Sequence, residues 1–248
     1  MYLFILNAIR FILFRFTEHF GIRVIDHTIL WQRNLLSEQI FWRNWIESKG
    51  GRWPQHFSNR IASKRALKID LAKLLPCNSC QVKILDVGAG PLTVLGNYLQ
   101  GFEISITPID ALADSYDQML RNARIVAPVP TIKMRAEELV KHYPENHFDL
   151  SYSRNAIDHT HDAIRSILAM VHVTKVGGYV VLEHRIAEGR RARYRGLHPW
   201  NFLSEKDTFY ISSPNGRQNM NQLLNDKCRI KCRNEHNQGW LTIEMEKL

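Results

Sequence analysis

Cysteine is scarce in this chain: four residues in 248, spaced as Cys77-x-x-Cys80 and Cys228-x-x-x-Cys232. Short paired spacings invite a zinc site. The first pair, however, precedes the first strand and the second lies in a late edge strand. The sequence therefore assigns no metal, and free thiols in a reducing compartment are expected. An apolar run of membrane-spanning length is also missing. Met1 to Phe16 is apolar but too short to span, and Arg10 and Arg15 break it. No basic segment precedes this stretch and no small-residue cleavage site follows it, so it does not read as a signal peptide. Asn7, Arg10, Arg15 and Glu18 fall on one side of a helical wheel. An amphipathic helix over residues 1–16 is expected, docked on the protein itself, on a partner protomer or peripherally on a membrane surface. The expected location is cytoplasmic, with any membrane association confined to that segment. Internal repeats and low-complexity tracts are absent too, which excludes a repeat array.

Acidic residues are the minority charge, 24 against 33 Lys and Arg, and the net charge of +9 is uneven. Residues 81–184 sum to −3, whereas residues 1–80 carry +7 and residues 185–248 carry +5. Such flanks suit phosphates, anionic lipid or an acidic substrate, and equally a solvated surface. A hydrophobic content of 45% over this length is enough for one large domain with a sizeable core.

Within the acidic middle lies Ile84-Leu85-Asp86-Val87-Gly88-Ala89-Gly90-Pro91. The apolar residues read as a short buried strand, and Gly-Ala-Gly as a sharp turn beneath a ligand, where a Cβ has no room. About twenty residues on, the apolar run Phe102 to Ile109 ends in Asp110, an acid placed to bond ribose hydroxyls. A dinucleotide-binding turn wants a third glycine three residues after the second; here that position is Thr93. Asp86 would repel a pyrophosphate but suits a ligand that carries an ammonium group and a sulfonium.

From Lys83 onward strands and helices alternate, as in a doubly wound α/β sheet. The spacing predicts strands at 83–87, 103–109, 131–134, 148–152 and 178–184. Helices are expected at 92–99, 113–123, 136–143 and 161–172. Helix 218–225 then leads to strands at Cys228–Arg233 and Trp240–Met245, joined by Asn237-Gln238-Gly239 as a hairpin. Before the sheet, residues 17–50 and one helix from Ser58 to Leu75 form a helical block closed by Pro76. Trp42, Trp45 and Trp53 belong to its core or line a lid.

These motifs resemble the class I S-adenosylmethionine-dependent methyltransferases, whose first motif is a strand ending in acid-x-Gly-x-Gly. Phe148-Asp149-Leu150 and Lys175-Val176-Gly177-Gly178 match later motifs of that family. The resemblance implies a Rossmann-like, doubly wound, mostly parallel sheet ending in an antiparallel hairpin. Residues 1–77 are an N-terminal helical extension or lid, and residues 78–248 the cofactor-binding domain, with an inserted loop at about 186–216. It implies S-adenosyl-L-methionine as cofactor, held by Asp86, Gly88, Ala89, Gly90, Asp110, Ala111, Ala136, Glu137 and Asn155. The Ala-Glu-x-Leu segment that borders the adenine is usually preceded by an acid; this chain has Arg135. No Asn/Asp-Pro-Pro-aromatic segment follows the fourth strand, so amino-nucleobase methylation is not supported.

Methyl transfer from a sulfonium is an in-line displacement, in which the protein aligns the two partners and excludes water. A hydroxyl acceptor must also lose its proton, best to a histidine. His159 and His184, at adjacent strand tips, are the candidate bases. Asp158 is the candidate to orient a histidine, though not the adjoining His159, because neighbouring side chains usually face apart. His198, Trp200 and Arg195 of the insertion are the candidate acceptor contacts. A small or medium acceptor, such as a saccharide or a lipid-linked intermediate, is preferred. RNA or protein as acceptor, and a non-catalytic binding protein on the same fold, are the rivals; a nicotinamide enzyme is a further one.

Overall fold

The structure, a computed structural model, describes residues 27–76, 80–235 and 239–248. Residues 1–16, Cys77 and the turn residues Asn237 and Gln238 lie outside these, so the expectations placed on them are not addressed. Helices α1 (His27–Glu47), α2 (Pro54–Ile61) and α3 (Ile69–Ala72) precede the sheet. Among the described residues no helix is long and apolar enough to cross a membrane.

Seven strands form one sheet in the order β3-β2-β1-β4-β5-β10-β9. They are β1 (Gln81–Val87), β2 (Glu103–Asp110), β3 (Ile132–Lys133), β4 (Phe148–Arg154), β5 (Thr174–Arg185), β9 (Cys228–Glu235) and β10 (Trp240–Lys247). The first five run parallel; β10 pairs antiparallel with both β5 and β9. This is the mostly parallel, Rossmann-like sheet with a closing hairpin. Alternation along β1 explains its central place. Val82 and Ile84 enter one core with Leu67, Leu71, Leu150 and Tyr152. Leu85 and Val87 point the other way, into a core with Ile167 and Met170. Those two come from α6 (Ala163–Val173), whose N-cap Asp162 accepts the Arg165 amide at 2.9 Å. A third core joins Trp45 and Ile46 of α1 and Phe57 of α2 to Leu112, Tyr116 and Leu120. The last two belong to α4 (Ala113–Asn122).

Three local expectations fail. No helix follows β1: residues 91–99 are turns and short bridges. The helix expected from Ser58 to Leu75 is interrupted between α2 and α3, and the two failures have one cause. Residues 65–67 run extended and pair with Tyr98, through Tyr98 N–H to Arg65 O (2.9 Å) and Leu67 N–H to Tyr98 O (2.8 Å). Gly96 permits the contact, since a Cβ there would stand 2.0 Å from Ala66 O. Finally, the inserted loop is folded. After α7 (Glu188–Arg191) come β6 (Asn201–Glu205), β7 (Thr208–Ser213) and β8 (Gly216–Asn219), a separate antiparallel sheet. Helix α8 (Met220–Leu223) is therefore shorter than the helix expected over 218–225.

Candidate active site

Ligands of open α/β sheets bind beyond the carboxyl ends of the strands, at the switch in strand order. Here β1 lies between β2 and β4, and a cleft opens at their tips. From β1 come Val87, Gly88 and Gly90; from the tip of β2 come Asp110 and Ala111. After β3, Ala136 and Glu137 open a short 3-10 turn, and after β4 stand Asn155, Ala156 and His159. The fourth wall is α1, which contributes Trp31, Leu35, Glu38 and Trp42.

The glycine bend is held from below and pressed from above. Gly88 and Ala89 donate their amides to Ile109 O at 2.9 and 3.1 Å. Gly88 and Gly90 both have positive φ, +71° and +67°. A Cβ on Gly88 would stand 2.2 Å from Cβ of Ala156, and one on Gly90 would stand 2.8 Å from the Trp42 ring. Trp42 is fixed in turn by its Nε1–H, donated to Glu38 at 2.8 Å.

The two acids of the motif have different surroundings. Asp110 lines the cleft, and its carboxylate accepts the amides of Gly90 (3.1 Å) and Leu112 (2.9 Å). Burial raises its pKa to about 6 against the pull of those amides. Asp86 does not line the cleft. It is buried beside the bend and accepts the Thr93 hydroxyl at 2.5 Å. Burial raises it also to about 6, with Thr93 and Arg60 opposing. The residue in place of a third glycine is thus the partner of the acid that precedes the first.

The candidate catalytic residues gather in one cluster at the cleft's edge. Asp158 and His159 share a 3-10 turn (Ile157–His159), which curls both side chains to the same side. His159 Nε2 lies 3.4 Å from Asp158 Oδ2, so the expectation that these neighbours face apart is corrected. His198 Nδ1 lies 3.1 Å from the same oxygen and 3.1 Å from His159 Nε2. Burial alone would raise the Asp158 carboxyl; the surrounding His159, His184 and His198 hold it well below the ordinary carboxylate range. Burial would lower His198, but the bond to Asp158 outweighs it and the net shift is upward. His184 is 1% exposed, stacked on Phe202 with ring centroids 4.1 Å apart, and does not line the cleft. Its Nδ1 sits 3.4 Å from Asp158 Oδ1 without hydrogen-bond alignment.

The remaining candidates are more dispersed. Glu137 lines the cleft and accepts the Asp162 amide at 3.1 Å. Asn155, with φ +48°, accepts the Arg185 amide at 3.2 Å. Trp200 stands behind the cleft and donates to Thr160 O at 3.0 Å. Arg195 is exposed and away from the lining, and the buried, backbone-held Ala89 does not line the cleft either. Sequence reasoning passed over Trp31, Leu35 and Glu38. Their signal was available, since positions 31, 35, 38 and 42 share one helical face. Arg135, which stands where an acid was expected, lines the cleft with its guanidinium 4.9 Å from the Trp31 ring.

Residues 85–182 match the sequence profile of a family described as methyltransferase domain. A curated relative, an uncharacterised methyltransferase of Schizosaccharomyces pombe, is 29% identical over 105 residues. The match covers 40% of this chain and 38% of the relative, so the chain aligns with less than half of that protein. Among solved structures the chain is similar to an S-adenosylmethionine-dependent methyltransferase of Methanosarcina mazei, at TM-score 0.44 and 17% identity, over 74% of this chain and 100% of the other. Another, from Mesorhizobium loti, gives TM-score 0.43 and 14% identity, over 72% and 96%.

Proposed function

We propose that the chain is a class I, S-adenosylmethionine-dependent methyltransferase acting on a small or medium acceptor, a reading supported by the methyltransferase-domain match over residues 85–182. The observation that carries the reading is the convergence of Gly88, Gly90, Asp110, Ala136, Glu137 and Asn155 on one cleft. The cofactor fits that donor set. Each Asp110 oxygen accepts one amide and keeps a second acceptor direction for a ribose hydroxyl. Ala136 and Glu137 would border the adenine, and the Asn155 side of the cleft would take the aminoacyl end.

The cofactor supplies an activated methyl group on a positively charged sulfur. The chain's own residues do the rest. Helix α1 closes the cleft with Trp31, Leu35 and Trp42 and excludes water, which makes the helical segment before the sheet a lid. Asp86, through Thr93, fixes the bend rather than touching the ligand. His159 is the one histidine of the cluster that lines the cleft, and it is the imidazole positioned to meet an acceptor hydroxyl and its proton. Asp158 and His198 orient it, His184 braces Asp158 from behind, and Trp200 holds the turn through Thr160. The folded insertion brings His198 to the acceptor side, whereas Arg195 acts at the rim on an anionic acceptor. A small-molecule acceptor is favoured over RNA or protein because α1 walls the cleft beside His159.

Calorimetry tests this reading. S-adenosylhomocysteine is expected to bind with one site per chain and NAD not at all. Heat with NAD alone, or with neither, would discard the enzyme described here.

A further inference from the structure

We propose that Asp158, His159 and His198 form a binding site for a divalent transition-metal ion of the zinc or cobalt kind, at the acceptor end of the cleft. Three potential ligand atoms converge there. His159 Nε2 and His198 Nδ1 are 3.1 Å apart, His198 Nδ1 and Asp158 Oδ2 3.1 Å, and His159 Nε2 and Asp158 Oδ2 3.4 Å. A four-coordinate ion bonded to nitrogen and oxygen at ~2.0–2.1 Å separates its ligands by about 3.3 Å. The observed triangle lies within a few tenths of an ångström of such a face. Two imidazoles with one carboxylate favour zinc, cobalt or iron over magnesium and calcium, which take oxygen ligands.

The groups behind the triangle are arranged as supports for metal ligands. His159 offers Nε2 to the centre, while its Nδ1 faces Glu38 Oε2 at 3.8 Å. Asp158 offers Oδ2 to the centre, while Oδ1 faces His184. Among the described residues, that buried Oδ1 and both ring nitrogens of His184 have no hydrogen-bond partner. The turn itself is clamped, with Trp31 Nε1–H donated to His159 O at 2.8 Å and Trp200 Nε1–H donated to Thr160 O. Sequence spacing hides the site, because His198 is about forty residues from the other two ligands and arrives with the folded insertion.

The inference rests on the reading of the cleft as a methyl-transfer site and replaces one part of it: with an ion bound, His159 is a ligand and no longer the acceptor's base. The fourth coordination position adjoins the cleft that His159 lines. There an ion holds an acceptor's hydroxyl oxygen and makes its proton easier to lose to water.

The test strips the purified full chain with a chelator and titrates it with Co(II), following the visible absorption of a four-coordinate site, then displaces the ion with Zn(II). One equivalent per chain is expected. His198→Ala, on the half-exposed loop, and Asp158→Asn should each weaken binding by at least about tenfold. His142→Ala, an exposed histidine elsewhere, should leave it unchanged. His184→Phe should weaken it less than either ligand variant. No cobalt spectrum, or equal binding by wild type and His198→Ala, overturns the site. S-adenosylhomocysteine is titrated into the same preparations. Heat without cobalt binding overturns the ion alone, and cobalt binding without heat overturns the cofactor reading alone.

Discussion

The indole of Trp42 occupies the space into which a side chain on Gly90 would grow, with the ring 2.8 Å from an ideal Cβ position. Through this one contact α1 reads the conformation of the glycine bend. Gly90→Ala should therefore be doubly penalised, by its φ of +67° and by the collision. A loss of about 2 kcal/mol in a urea melt is expected, with a matching loss of cofactor affinity. In the Trp42→Ala background the same substitution should cost less, by about 0.5–3 kcal/mol of coupling. Additive losses would mean that the indole does not press on the bend.

Asp110 is the acid that faces the cleft. Asp110→Ala should weaken S-adenosylhomocysteine binding by about 1–3 kcal/mol in calorimetry, the cost of losing charge-assisted hydrogen bonds. Asp86→Asn should act differently. It keeps an acceptor for Thr93 and should leave affinity nearly unchanged, whereas Asp86→Ala should lower stability first. Equal affinity losses for Asp110→Ala and Asp86→Asn would contradict the separate roles given to the two acids.

Both acids carry a pKa raised by burial to about 6. For a carboxyl, a raised folded-state value means that the native state binds the proton more tightly than the unfolded chain. Their contribution to stability is fully present below the unfolded value of ~3.9, and it is lost as pH rises through about 6. Ligand binding runs the other way, because ribose hydroxyls donate to the ionised Asp110. Affinity for S-adenosylhomocysteine should fall about tenfold between pH 7.5 and pH 5. An affinity flat across that range would show that Asp110 is already ionised or not in contact.

Much of the fold was legible because hydrophobic alternation and the glycine bend are local signals. Ile84 to Gly90 fixed the first strand, and Asp110 marked the second without reference to distant contacts. The expected helix at 92–99 failed for a non-local reason. The amide and carbonyl of Tyr98 pair with Arg65 and Leu67, and nothing in Pro91 to Leu99 announces that partner. The same long-range bond broke the helix from Ser58 to Leu75. At the site, positions on strand tips were readable one by one. The grouping of Asp158, His159, His184 and His198 was not, because it depends on how the insertion folds back through β6. Glu38 and Trp31 were hidden in a helix whose inward face only the assembled sheet defines.

His184 gives a sharper distinction between packing and chemistry. Its ring is stacked on Phe202 and its nitrogens lack hydrogen-bond partners among the described residues. His184→Phe loses no aligned hydrogen bond, but it removes a neighbour of the buried Asp158 carboxylate and adds volume to a filled site, so a loss of about 1–3 kcal/mol in thermal unfolding is expected. Because His184 braces Asp158, turnover should drop as well once an acceptor is in hand. An unchanged melting temperature would mean that His184 neither supports Asp158 nor fills its site.

A crystal structure with S-adenosylhomocysteine addresses the central claim most directly. The account predicts ribose hydroxyls within hydrogen-bond distance of the Asp110 carboxylate, the purine beside Ala136 and Glu137, and the sulfur turned toward His159. Ligand density elsewhere, or a Trp42 indole filling the space above Gly88 and Gly90 while Asp110 contacts no ligand, would contradict it.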